Sequence, residues 1–124
     1  MPVSFSKLGT VLIYESNYRY LNIAKKRLEE KNIDVIAANN TKMANKLLLE
    51  NNIDITIANL IISFNESMDF LSVAMLQNPE MERVVLCKDG AKGIEALTDG
   101  RATSFIADPW NSNNFEKTIS HILF

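Results

Sequence analysis

The sequence is poor in soft metal ligands and in chain punctuation. Its 124 residues hold one cysteine, Cys87, and one histidine, His121. A disulfide framework is excluded, as are zinc sites built on several thiolates or imidazoles. Four glycines and three prolines leave no flexible linker or low-complexity tract. No apolar run approaches the roughly 18–20 residues that cross a bilayer. Met1–Lys7 has no long apolar stretch of the kind a secretory signal needs. Neither sign of charge dominates: 13 Lys and Arg stand against 15 Asp and Glu, for a net −2. That disfavours direct nucleic-acid binding through phosphates. The densest basic stretch, Lys25-Lys26-Arg27, is followed by Glu29-Glu30 and reads as a solvated helix face. A reduced, cytoplasmic setting is expected.

What is present is a regular alternation. Thr10–Tyr14 is a short β-branched and aromatic run, long enough for a buried strand only. Asn17–Lys31 then carries Tyr18, Leu21, Ala24 and Leu28 at helical spacing, and Asn32 ends it. Strands are expected at Ile33–Ala38, Ile53–Ala58, Val84–Cys87 and Ser104–Ala107. Helices are expected over Thr41–Glu50, with Thr41 as N-cap, Glu66–Gln77, stopped by Pro79, and Ala91–Thr98, ended by Gly100. A last helix follows Ser112 as its cap, with Phe115, Ile119 and Ile122 inward. Ala44, Leu47 and Leu48, then Phe70, Leu71, Ala74 and Met75, then Ile94 and Leu97, are the expected inner faces of the three middle helices. Strands that are apolar throughout, alternating with helices, imply a parallel sheet covered on both sides. The segment Asn32–Asn39 echoes Asn52–Asn59, as neighbouring buried strands with similar requirements would.

Ligands of open parallel sheets gather at the carboxyl ends of the strands. Those ends hold Glu15-Ser16-Asn17, Asn59, Cys87-Lys88 and Asp108-Pro109-Trp110. The first loop, Glu15-Ser16-Asn17-Tyr18, has no glycine to admit a pyrophosphate, so a dinucleotide role is disfavoured.

Residues 10–124 resemble a receiver domain, the phosphoacceptor module of bacterial response regulators. Val11-Leu12-Ile13-Tyr14-Glu15-Ser16 lies where that family has an apolar strand followed by two acids. Asp54–Asn59 lies where its third strand ends in the phosphorylated aspartate. Val84–Cys87 matches a strand ending in Thr or Ser, and Phe105–Trp110 one ending in Lys-Pro-Phe. The resemblance implies a flavodoxin-like doubly wound (βα)5 fold with strand order 2-1-3-4-5, after an N-terminal extension over residues 1–9. It also implies a cis Asp108–Pro109 bond and a switch aromatic at Phe105.

The pocket chemistry departs from that pattern. Asn59 replaces the nucleophile, and an amide oxygen is too weak to form an acyl phosphate. Ser16 removes the second acid and leaves Glu15. Cys87 replaces a hydroxyl with a poorer donor. Asp108 stands where a lysine would neutralise phosphate. Glu15 and Asp108, if facing one another, would share a proton, attract a cation or recruit a base, with Lys88 the nearest candidate.

The leading expectation is therefore a non-enzymatic, degenerate receiver domain in bacterial two-component or phosphorelay signalling. It would act as a phosphorylation-independent protein-interaction module with a protein partner. A homodimer through residues 91–99, 104–107 and 112–123 is one version, with Lys92, Glu95, Arg101, Asn113 and Lys117 on that surface. The alternative is a sensor of a weakly bound divalent cation or small ligand, with Glu15, Asn59 and Asp108 as oxygen donors. A Cys87 enzyme is a third reading and needs a base that the sequence does not reveal; a buried inert thiol is the bland one. His121 reads as a surface residue and Trp110 as a packing residue.

Overall fold

The computed structural model describes residues 7–61, 63–111 and 113–123. Five strands alternate with five helices: β1 Thr10–Tyr14, α1 Tyr18–Glu29, β2 Asp34–Ala38, α2 Thr41–Glu50, β3 Ile55–Asn59, α3 Phe64–Gln77, β4 Glu82–Cys87, α4 Gly90–Thr98, β5 Ser104–Ala107 and α5 Asn114–Leu123. All neighbours pair in parallel, in the order β2-β1-β3-β4-β5. This is the flavodoxin-like doubly wound sheet.

Strand alternation divides the core in two. Leu12, Tyr14, Ala58 and Val85 face α2, α3 and α4 through Ala44, Leu48, Met68, Leu71 and Ala96. Val11, Ile13, Ile57 and Leu86 face α1 and α5 through Leu21, Ala24, Leu28, Phe115 and Ile119. The sequence echo has a structural cause. Its two copies are the strands on either side of β1, and Val11 is in register with both Val35 and Ile55.

Several local expectations are corrected. The N-cap of α2 is Asn40, whose Oδ1 accepts from the Met43 amide at 2.8 Å, and Thr41 is already helical. Tyr18 is 67% exposed and Ile94 57% exposed, so neither belongs to the inner face of its helix. In α1 the inward stripe is Leu21, Ala24 and Leu28; in α4 it is Gly93 and Ala96. The aromatic Phe105 explains the second case. A Cβ on Gly93 would fall 2.5 Å from Phe105 Cγ, so the ring occupies the space an inward side chain of α4 would need. The proposed cap Ser112 lies outside the described residues.

Turns close where the backbone needs a left-handed residue. Asn32 ends the α1 connection at φ 62° and Gly100 the α4 connection at φ 84°. The helix starts are capped by side chains. Asn17 Oδ1 accepts from the amides of Arg19 and Tyr20, and Asp89 Oδ1 from that of Ala91.

Candidate functional site at the carboxyl ends of the strands

The centre of the sheet ends in a buried polar pair. Glu15 follows β1 and is 2% exposed, and Asn59 closes β3 at 3%. Asn59 Nδ2 donates to Glu15 Oε1 at 2.5 Å. The other Glu15 oxygen accepts from the Asn17 amide at 3.0 Å, and Asn59 Oδ1 accepts from the Ile61 amide at 2.9 Å. Each side-chain oxygen of the pair therefore already has a donor. Burial pushes the Glu15 carboxyl above its ordinary range, and the bonds from Asn59 and Asn17 pull partly against that. No cation neutralises Glu15 among the described residues: Lys88 is exposed and forms no ion pair with it.

The structure joins Glu15 and Asn59 by a direct hydrogen bond. Asp108 is exposed, and both its oxygens accept from Asn111 Nδ2, at 2.9 and 2.7 Å. No hydrogen bond joins Asp108 to Glu15 or Asn59 among the described residues. The described residues hold no cluster of three or more His, Cys, Asp or Glu suited to a metal. A hard cation would need open oxygens, yet Asn59 aims an N–H at the Glu15 carboxylate, so the pair as packed does not fit one. Ser16 is exposed. Cys87 is buried, its thiol directed at the Ile106 carbonyl at 3.6 Å, and burial pushes its pKa up. That is an inert thiol rather than an activated one. His121 is exposed, as expected.

The loop after β5 also differs from expectation. The Asp108–Pro109 bond is trans; the described residues contain no cis bond. Asp108 itself makes the reversal, at φ 50°, with its amide bonded to the Cys87 carbonyl at 2.8 Å. Downstream, Trp110 stacks parallel on Tyr20 with centroids 5.5 Å apart, and tilts against Phe115 at 5.3 Å. Arg27 donates to the carbonyls of Pro109 and Trp110. Trp110 thus packs as expected, and with Arg27 it fastens this loop to α1.

Two contributors were missed from sequence. Ser67 in α3 is buried and donates to the Asn59 carbonyl at 2.8 Å; a serine inside a helix gave no signal of it. Tyr14 donates its hydroxyl to Glu66 Oε2 at 2.9 Å, joining β1 to the first turn of α3. Its position beside Glu15 was the available hint. Burial first, then the Glu66 bond, raise the Tyr14 pKa from 10.0 to about 12. The folded state therefore holds this proton more tightly than the unfolded chain does. Its contribution is complete below about pH 10 and is lost as pH rises toward about 12. Tyr14→Phe should remove that part of the alkaline instability, read as a flatter stability profile together with loss of the highest-pH tyrosinate absorbance step. An unchanged absorbance titration would mean that Tyr14 does not titrate late.

No family model and no curated protein sequence matches the chain. Solved structures do. The chain superposes on the receiver domain of a Francisella response regulator with a TM-score of 0.77 and 21% identity, covering 93% of this chain and 95% of that one. The chemotaxis response regulator CheY4 of Vibrio cholerae gives 0.79 and 16%, covering 92% and 98%. A CheY-like receiver domain protein from Methanospirillum hungatei gives 0.81 and 18%, covering 94% of each. What is shared at these identities is the fold.

Proposed function

We propose that this chain is a degenerate receiver domain. It works in bacterial two-component or phosphorelay signalling as a phosphorylation-independent protein-interaction module, without enzymatic activity, in the cytoplasm. The observation that carries the reading is the buried Glu15–Asn59 pair. In the place where a phosphoaccepting carboxylate would stand, a carboxamide is hydrogen-bonded to the remaining acid. Asn59 offers no nucleophile, and Asp108 adds negative charge at the rim instead of the cation a phosphoryl group requires.

The partner surface on this reading is the face of α4, β5 and α5. Ile94 is exposed there beside the Lys92–Glu95 ion pair at 3.2 Å, and half-buried Phe105 lies beneath. Lys92 also caps the Phe64 ring at 4.5 Å, tying α4 to α3. This packing favours a surface held in one state.

An amide NMR titration tests the reading, first with Mg²⁺ and then with beryllofluoride, which mimics an acyl phosphate. No perturbation is expected at Glu15, Asn59, Cys87 or Asp108. Shifts that spread from Asn59 to Phe105 and α5 on adding beryllofluoride would overturn it, because they would mean a working phosphoryl switch. Shifts with Mg²⁺ alone would replace it with a cation sensor.

A further inference from the structure

The amino end of the sheet carries a second group of polar residues, on the side covered by α5. Strand alternation puts Glu82 on the same face as Val84 and Leu86, and Ser104 on the same face as Ile106. Phe115 and Ile119 of α5 pack on the apolar part of that face. The later turns of α5 stand over the first residues of β4 and β5 and leave a groove of about 550 Å³. Glu82 and Ser104 line it from the strands, and Lys117, Thr118, His121 and Ile122 from the helix. Small-molecule sites commonly have volumes of roughly 300–1,000 Å³.

The groove is divided by charge. Its strand wall carries the acid, Glu82. Asp54, the acid just before β3, accepts from the Thr10 amide at 2.8 Å. The helix wall carries Lys117 and, one turn on, His121, and both also border a neighbouring groove with Lys31. None of Glu82, Lys31, Lys117 and His121 forms an ion pair among the described residues. The other charges nearby are engaged elsewhere. Glu116 lies 3.9 Å from Arg27, and Arg83 projects from the opposite face of β4 to the carbonyls of Pro79, Met81, Gly100 and Arg101. Acid and bases thus line one groove without neutralising each other. On the strand wall, Ser104 Oγ is buried and has no hydrogen-bond partner among the described residues. Native packing rarely leaves such an atom unpaired.

We propose that this groove binds a small zwitterion, an amino acid with an aliphatic side chain. Its carboxylate meets Lys117 and His121, and its ammonium meets Glu82. The hydroxyls of Ser104 and Thr118 add hydrogen bonds, and the aliphatic side chain lies against Ile122. A simple anion would set its charge beside Glu82, and a simple cation would set its charge beside Lys117. A ligand carrying both signs satisfies both walls. The groove lies at the opposite end of the sheet from Glu15 and Asn59, and the inference does not rest on the reading of that pair.

An amide NMR titration of the whole chain with leucine tests it. N-acetylleucine, which keeps only the carboxylate, and leucinamide, which keeps only the ammonium, serve as comparisons. Leucine should give saturable shifts at Glu82, Ser104, Lys117 and His121, and each blocked compound should bind about tenfold more weakly. Glu82→Gln should weaken leucine by about tenfold and leave N-acetylleucine no weaker than before. Lys117→Gln should weaken leucine and N-acetylleucine but not leucinamide. Should Glu82→Gln misfold, Lys117→Gln, at an exposed position, and the blocked compounds decide. No saturable shift with leucine at millimolar concentration overturns the proposal. Equal binding of N-acetylleucine overturns it in favour of an anion site, and equal binding of leucinamide in favour of a cation site. Saturable shifts confined to residues outside the groove overturn the placement.

Discussion

Asn59→Asp should lower stability at neutral pH by about 2–4 kcal/mol and make it steeply pH-dependent. The wild-type pair works because a carboxamide N–H points at a carboxylate that is 2% exposed. The substitution exchanges that donor for a second carboxylate at 2.5 Å, where no described residue forms an ion pair with Glu15. Two such groups cannot both ionise, so the pair retains a proton and its first apparent pKa rises. The folded pKa then exceeds the unfolded one. The stability is therefore complete below about pH 4 and is lost as pH rises through the raised value. Wild-type Glu15, also raised, contributes a change of the same sign, so the test is the difference between the two chains. The substitution also opens what the wild-type pair lacks, two facing carboxylate oxygens, so Mg²⁺ should now stabilise the variant by mass action while leaving wild type unchanged. Urea unfolding from mild acid to neutral pH, with and without Mg²⁺, measures both. A small, pH-independent loss would mean that water reaches the pair and that Glu15 is not held in the low-dielectric setting described above.

Arg83→Leu should cost about 3–5 kcal/mol, a large part of the 5–15 kcal/mol typical of a domain. Arg83 lies at the start of β4, at the opposite end of the sheet from Asn59, and is 5% exposed. Its charge meets no carboxylate among the described residues. Instead Nε donates to the Arg101 carbonyl at 2.8 Å, one terminal nitrogen to those of Pro79 and Met81, and the other to that of Gly100. The backbone joins the same knot: Thr103 Oγ1 accepts from the Arg83 amide at 2.7 Å and donates to the Arg83 carbonyl. Leucine fills the volume but leaves those carbonyls without donors. Lysine keeps the charge with a shorter reach and a single donating centre, so Arg83→Lys should recover only part of the loss. Denaturant unfolding gives the values, and amide exchange across residues 100–103 should quicken first. A loss below about 1 kcal/mol would mean that water replaces the guanidinium at little cost.

The Arg83 knot also marks the limit of reading by sequence. An arginine at the head of an apolar strand is most simply read as reaching solvent. Its burial follows from carbonyls supplied by the loops after α3 and α4, which the chain brings together only on folding. The resemblance to receiver domains puts Asn59 where that family carries its phosphorylated aspartate, an expectation drawn from its place at a strand end. That its amide is locked to Glu15 depends on β1 and β3 being sheet neighbours. Asp108 was placed on the same footing as Glu15, yet one left-handed residue turned it outward to Asn111. Tyr18 and Ile94 fitted their helical stripes, but only the neighbouring elements decide which part of a stripe is covered.

The order of strands and helices, the parallel sheet and the two-sided core were determined by the sequence alone. Burial of both sheet faces and of one stripe per helix is written as local periodicity, and a crossover between parallel strands leaves few topologies open. The tertiary structure alone decided which polar groups meet: Glu15 with Asn59, Tyr14 with Glu66, and Arg83 with four carbonyls. Hydrogen bonds are directional and act over about 3 Å. Their partners are therefore set by where distant segments come to lie, not by the spacing of residues along the chain.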